Sequence, residues 1–144
     1  MSDCSPAPNA QQHELGLTRF IEAPPASVWR CWTEPELLMQ WFAPAPWRTV
    51  AAELDVRAGG SSRIVMRSPE GEDMAPHHGT YLEVLPQRLL VMTDAYTRAW
   101  EPSAKPFSTM LISFEPEGGG TRYTARVRHW NEADRQAHAA MGFD

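Results

Sequence analysis

The residues of this 144-residue chain with the most chemical potential are five histidines, two cysteines and two glycine clusters. His77 and His78 stand side by side before Gly79, which invites a metal. On a strand, however, adjacent side chains point to opposite faces, so the pair cannot chelate one ion, and no Asp or Glu stands at a matching second position. His129 and His138 have the chemistry of a general base, yet no Ser or Cys nucleophile signature accompanies them. Cys31 lies on an apolar side of a helical stretch, where a free cysteine acts as a small hydrophobe, and Cys4 sits in a polar leader, so the two make no disulfide framework. Gly59–Gly60 and Gly118–Gly120 fall between strands and lack the lysine and helix N-terminus that cradle phosphate, so they read as hairpin turns. Arg122, Arg126 and Arg128 form a basic ladder interleaved with threonine, the composition of a solvated sheet face. No catalytic residue, metal or cofactor is assigned.

Binding chemistry is better represented. The stretch VWRCWTEPELLMQWFAPAPW, residues 28–47, holds four of the six tryptophans. Aromatic side chains at this density wedge short helices against a sheet, and one or two of them line a cavity mouth, for which Trp41 and Phe42 are the candidates. Met66, Met92 and Met110 fall on strands, at least two of them facing inward, and methionine suits an adaptable apolar pocket. With Tyr81, Ile112 and Tyr123 they are the candidate cavity wall, and Glu83 and Arg19 are the candidate polar anchors. The segment DAYTRAWEPSAKPF, residues 94–107, is longer than a tight hairpin needs and carries Tyr96 and Trp100, which makes it a candidate lid.

Composition narrows the partners. The net charge is −5 and the basic residues are scattered, so neither nucleic acid nor an anionic membrane surface is favoured. No apolar run approaches the roughly 18 residues of a membrane-spanning helix, and the N-terminus has neither the basic nor the apolar region of a secretory signal. A cytoplasmic location is expected.

The elements that must position these residues follow from periodicity. Residues 1–11 read as a disordered leader and 12–144 as one domain. HELGLTRFIEA alternates Leu15, Leu17, Arg19 and Ile21 against Glu14, Gly16, Thr18 and Phe20, which predicts a strand. Pro25 opens a helix with Val28, Cys31 and Trp32 on its apolar side, and Pro35 opens a second, with Leu37, Leu38, Trp41 and Phe42 on its buried side. Six more strands follow. Met110, Ile112 and Phe114 share one face, and Tyr123, Ala125 and Val127 oppose Arg122, Thr124, Arg126 and Arg128. Asn131 is the predicted N-cap of a terminal helix.

Read in order, RFIEAPPASVWRCWTEPELLMQWFAP, RAGGSSRIVM, GTYLEVLPQRLLVMT and GGGTRYTARV resemble the landmarks of the activator of Hsp90 ATPase homologue 1-like family, within the START-like superfamily, from about Leu15 to Phe143. The resemblance implies an α+β helix-grip (START-like, Bet v 1-like) fold, a curved seven-stranded antiparallel sheet around a C-terminal helix, with two short helices between strands 1 and 2. It also implies an apolar cavity between sheet and helix. Three functions are compatible with it: binding of an apolar small molecule in that cavity, regulation of a chaperone or other protein partner, and cyclase- or hydrolase-like catalysis in the same cavity. The helix that should plug the sheet has only Ala133, Ala137, Ala140, Met141 and Phe143 to do so. Thin cover of this kind predicts a partly open cavity, closed by further residues or by a second copy in a homodimer.

Overall fold

Alternating apolar residues need a partner strand on each side and a filler on one face, and both are present. The computed structural model describes residues 13–140. β1 (Glu14–Ile21) leads into α1 (Pro25–Thr33) and α2 (Pro35–Leu38), followed by β2 (Arg48–Leu54), β3 (Ser61–Arg67), β4 (His77–Leu85) and β5 (Leu89–Thr93). A small hairpin, β6 (Tyr96–Arg98) and β7 (Glu101–Pro102), precedes β8 (Ser108–Glu117), β9 (Gly120–His129) and α3 (Glu132–Ala140). The predicted seven strands form one antiparallel sheet in the order β1-β9-β8-β5-β4-β3-β2, curled as a half-barrel in the helix-grip manner. The segment expected to be a lid contains the hairpin, which forms a separate two-stranded sheet.

Pairing fixes the inner face. Met110 pairs with Val127, Ile112 with Ala125 and Phe114 with Tyr123, while Leu90 and Met92 of β5 pair with Ile112 and Met110. Directly paired side chains share a face, so these rows make one continuous apolar surface. On the other face of β9 the arginine ladder is neutralised: Glu14 accepts from Arg126 and Arg128, and Glu117 from Arg122. At the β2–β3 turn only glycine fits position 60, because a Cβ there would meet the Asp55 carbonyl oxygen at 1.9 Å.

The two short helices fill the sheet. Val28 and Trp32 of α1 and Leu38 of α2 join Ile64, Tyr81, Leu90, Ile112, Phe114 and Ala125 in the core. α2 makes a single turn, which corrects one expectation: Trp41, predicted on the buried side with Leu37 and Leu38, is 41% exposed. A residue beyond a one-turn helix no longer lies beneath the face that the i, i+4 spacing defines.

Among the described residues, α3 buries little against the sheet. Asn131 caps it as predicted, its Oδ1 accepting from the Asp134 N–H at 2.8 Å. None of its residues is buried, and Ala133, Ala137 and Ala140, offered by the sequence as the plugging face, are exposed. Met141 and Phe143, like the expected leader, lie outside the described residues.

Phe114 ties these layers together. It is 1% exposed and meets Trp29 of α1 edge-on at 5.4 Å and Tyr123 at 6.0 Å. Phe114→Ala is therefore expected to lower stability by about 3–5 kcal/mol. Trp130→Ala, at a 54% exposed position, should stay within about 0.5 kcal/mol of the parent in the same urea titration.

Candidate functional site

Two spaces adjoin the helices on the inner side of the sheet, and the Trp32 indole lines both. The inner one is a cavity of about 40 Å³. Leu38 and Phe42 line it from the helical side, Tyr81, Met92 and Met110 from the strands, and Ser62, Thr93 and Ser108 add hydroxyls. It has room for a water or two but not for a ligand of metabolite size. The second space is an open groove of about 350 Å³ between α1 and the paired strands β1 and β9. Its walls are Ile21, Val28, Cys31, Trp32, Trp41 and Tyr123, with Ala23 and Ser27 completing the rim. A larger hollow of about 560 Å³, beside Trp47, Arg48 and Arg67, is broad and polar and holds none of the predicted site residues.

Trp32 is 4% exposed and firmly placed. Its Nε1–H donates to the Tyr123 hydroxyl at 3.1 Å, and its ring meets Trp41 edge-on at 4.6 Å and Phe42 at 6.4 Å. Trp41 in turn donates its Nε1–H to the Cys31 carbonyl at 3.0 Å, which holds it as a flap over the groove. Burial pushes the Tyr123 phenol up to about 12, with the Trp32 hydrogen bond acting the other way. Burial, and secondarily the charge of Asp55, also raises Tyr81. Both phenols are neutral in ordinary buffers, so neither brings a charge to the site.

The predicted site residues separate into groups. Tyr81, Met92, Met110 and Phe42 surround the inner cavity, and Ile112 lies in the core, fully buried. Tyr123 and Trp41 line the groove, and Arg19 pairs with Tyr123 across β1 and β9 while remaining exposed. Met66 shares the inner face of β3 with Ile64 but lies outside both spaces. Glu83 is displaced: the register shifts between Tyr81, which pairs with Met92, and Glu83, which pairs with Val91. This β-bulge breaks the two-residue alternation, so Glu83 shares the outward face with Val91 and cannot anchor a ligand inside. Tyr96 and Trp100 stack edge-on at 5.6 Å within the β6–β7 hairpin, Trp100 is 65% exposed, and neither lines the cavity or groove. Missing from the sequence-based set were Ile21, Val28, Cys31 and Trp32. Ile21 on the alternating strand and Val28/Trp32 at i, i+4 carried the signal, because both periodicities point to one interior.

A third cluster docks α3. His129 Nδ1–H donates to the His13 carbonyl at 2.8 Å, since a carbonyl only accepts. Its Nε2 lies 2.9 Å from His138 Nδ1, a hydrogen-bonded contact between the two rings. Phe107 packs against both imidazoles, each at 5.4 Å. At the start of the helix, Glu132 contacts His13 at 3.4 Å and Arg135 at 2.6 Å, and the Arg135 guanidinium holds its carboxyl down near 2. Among the described residues, no group of three or more His, Cys, Asp or Glu is arranged to hold a metal ion, and no helix is long and apolar enough to cross a membrane.

Comparison with known proteins gives a consistent picture. The family model described as Activator of Hsp90 ATPase homolog 1-like protein matches residues 22–144. A crystal structure of a protein from Nitrosomonas europaea is 39% identical, with a TM-score of 0.85 over 90% of this chain and 83% of that one. A crystal structure of a Rhodobacter sphaeroides protein is 24% identical, with a TM-score of 0.75 over 94% of this chain and 83% of that one. The solution structure of an AHSA1-like protein from Aeromonas hydrophila is 20% identical, with a TM-score of 0.69 over 89% of this chain and 85% of that one. The last two likenesses concern the fold alone. No curated protein matches the chain.

The histidine cluster sets a pH dependence. Burial, and then the charge of neighbouring His129, holds the His138 imidazole below its ordinary 6.5. In the unfolded chain this group takes up its proton first, so its stabilising effect is complete above 6.5 and is lost as pH falls through the lower folded value. Melting temperature should therefore drop between about pH 7.5 and 5.5. His138→Gln should show a smaller drop over the same range; an identical profile would remove His138 as its source.

Proposed function

We propose, for a chain that belongs to the Activator of Hsp90 ATPase homolog 1-like family, that its function is to bind an apolar small molecule in the groove between α1 and the β1–β9 pair. The observation that carries this reading is the groove itself. Its volume of about 350 Å³ falls at the lower end of the range for small-molecule sites, and its lining is almost wholly apolar and aromatic. Trp32 and Trp41 present rings rather than polar edges to it, because their N–H groups are already bonded to Tyr123 and Cys31. The inner cavity behind Trp32 is a reserve of apolar space, reachable if the indole turns.

Partner binding is the main alternative. Exposed Trp100 at the hairpin and Trp130 before α3 are large apolar surfaces of the kind that meet other proteins. A cyclase- or hydrolase-like reaction would need an acid or base at the inner cavity. His77 and Asp94 both line it, and Asp94 already accepts from the Phe107 and Ser108 N–H groups at 2.8 and 3.0 Å, which closes the long loop.

The test is titration with an apolar fluorophore, backed by native mass spectrometry of freshly purified protein for a retained small molecule. Cys31→Phe fills the groove from a half-exposed position and should weaken the dye at least about tenfold without lowering the melt. Met110→Trp, which cannot fit an indole into about 40 Å³, should destabilise the fold. Equal dye binding by the parent and Cys31→Phe would place the ligand elsewhere. A parent that binds no dye and retains nothing would favour the partner-binding alternative.

A further inference from the structure

Tyr123 lines the groove on its sheet side, and Arg19, outside that lining, faces it across β1 and β9. Arg19 and Tyr123 are register partners, so their side chains stand on the same face, which also carries Ile21 into the groove wall. Each has donor capacity left over. The Tyr123 oxygen accepts from Trp32, which leaves its own O–H proton without an acceptor among the described residues. Arg19 gives one N–H to the Thr18 carbonyl at 3.1 Å, and no carboxylate pairs with it among the described residues. The contrast with the outward arginines is chemical: Arg122, Arg126 and Arg128 all meet Glu14 or Glu117. In a chain of net charge −5, an uncompensated guanidinium opposite a wall residue of an apolar groove is not the product of a general basic excess.

A neutral apolar ligand would leave both donors as they are. A carboxylate would satisfy them together, because its two oxygens match the guanidinium fork and a charged acceptor strengthens a phenol hydrogen bond. We propose that the groove selects amphipathic monocarboxylates, the apolar body lying against Ile21, Val28, Trp32 and Trp41 and the carboxylate held between the Arg19 guanidinium and the Tyr123 hydroxyl. This rests on the groove being the binding site and names the class of ligand it takes. Tyr123 is then fixed as a donor by Trp32, which occupies its lone pair, and Arg19 supplies charge from a position where its removal leaves the core intact.

Decanoate and decanol differ only in the head group and separate the two ideas. Both are titrated against the parent, Arg19→Gln and Arg19→Lys at neutral pH and low salt, with tryptophan fluorescence as the readout. In Arg19→Gln, decanoate should bind about fivefold more weakly while decanol stays within about twofold. Arg19→Lys should recover part of the loss, since it keeps the charge but not the fork. Raising the salt to about 0.5 M should narrow the difference between parent and Arg19→Gln for decanoate. All three proteins should melt alike, because Arg19 is exposed. Decanoate affinity unchanged in Arg19→Gln, or both ligands weakened equally, would overturn the carboxylate clasp while leaving the groove standing. Failure of both ligands to bind the parent would overturn the groove and the clasp together.

Discussion

A sheet curled into a half-barrel has an apolar inner face that must be filled from within one chain, and here the filling depends on one indole. Trp32 donates to the hydroxyl of Tyr123, 91 residues further along the sequence, and so joins α1 to β9 by a directional bond as well as by packing. Its faces and edges then set Trp41 and Phe42, which carry the short α2 turn and the chain beyond it. An aromatic ring with a polar edge suits this place, since the ring fills volume and the N–H orients it. The same side chain divides the interior into a small cavity and a larger open groove. The shape of both spaces thus depends on a single rotamer.

Charge is distributed to match. The wet face of β9 carries three arginines, but each is answered by Glu14 or Glu117 on a neighbouring strand or turn. Exposed pairs of this kind contribute about 0–1 kcal/mol each, so their effect is less to stabilise the sheet than to remove the ladder as an anion-binding surface. Arg19, by contrast, stands on the inward face by its register with Tyr123. Inside, Tyr81 and Tyr123 stay protonated because burial disfavours the phenolate, so neither phenol adds a formal charge to the two spaces.

The terminal helix is held differently from the other two. α1 and α2 contribute buried apolar side chains, whereas α3 contributes none among the described residues and docks through imidazoles, a ring contact and an acid–base cluster at its first turn. Polar docking is conditional on protonation state in a way that hydrophobic burial is not. Function resides in the site a fold carries rather than in the fold, so membership alone leaves the activity open.

Local physics made much of the fold legible in the sequence. Pro25 and Pro35 open helices because a missing N–H costs nothing there, Asn131 caps α3, and the alternation in β8 and β9 separates inner from outer residues. Each of these depends on neighbours within a few positions. The site depends on pairings between distant segments. The bulge after Tyr81 arises from how β4 meets β5, and it moved Glu83 off the inner face against a correct local alternation. Trp41 became exposed because α2 stops after one turn, and the β6–β7 hairpin formed inside a segment that read as loop. Arg19 was marked by its type, but only the β1–β9 register put it opposite Tyr123, and only the fold brought Ile21, Val28 and Trp32 to one groove. Residue type and period determine which side chains are apolar, capped or turned. Strand register and helix length, settled by packing across the whole chain, decided which of them share a space.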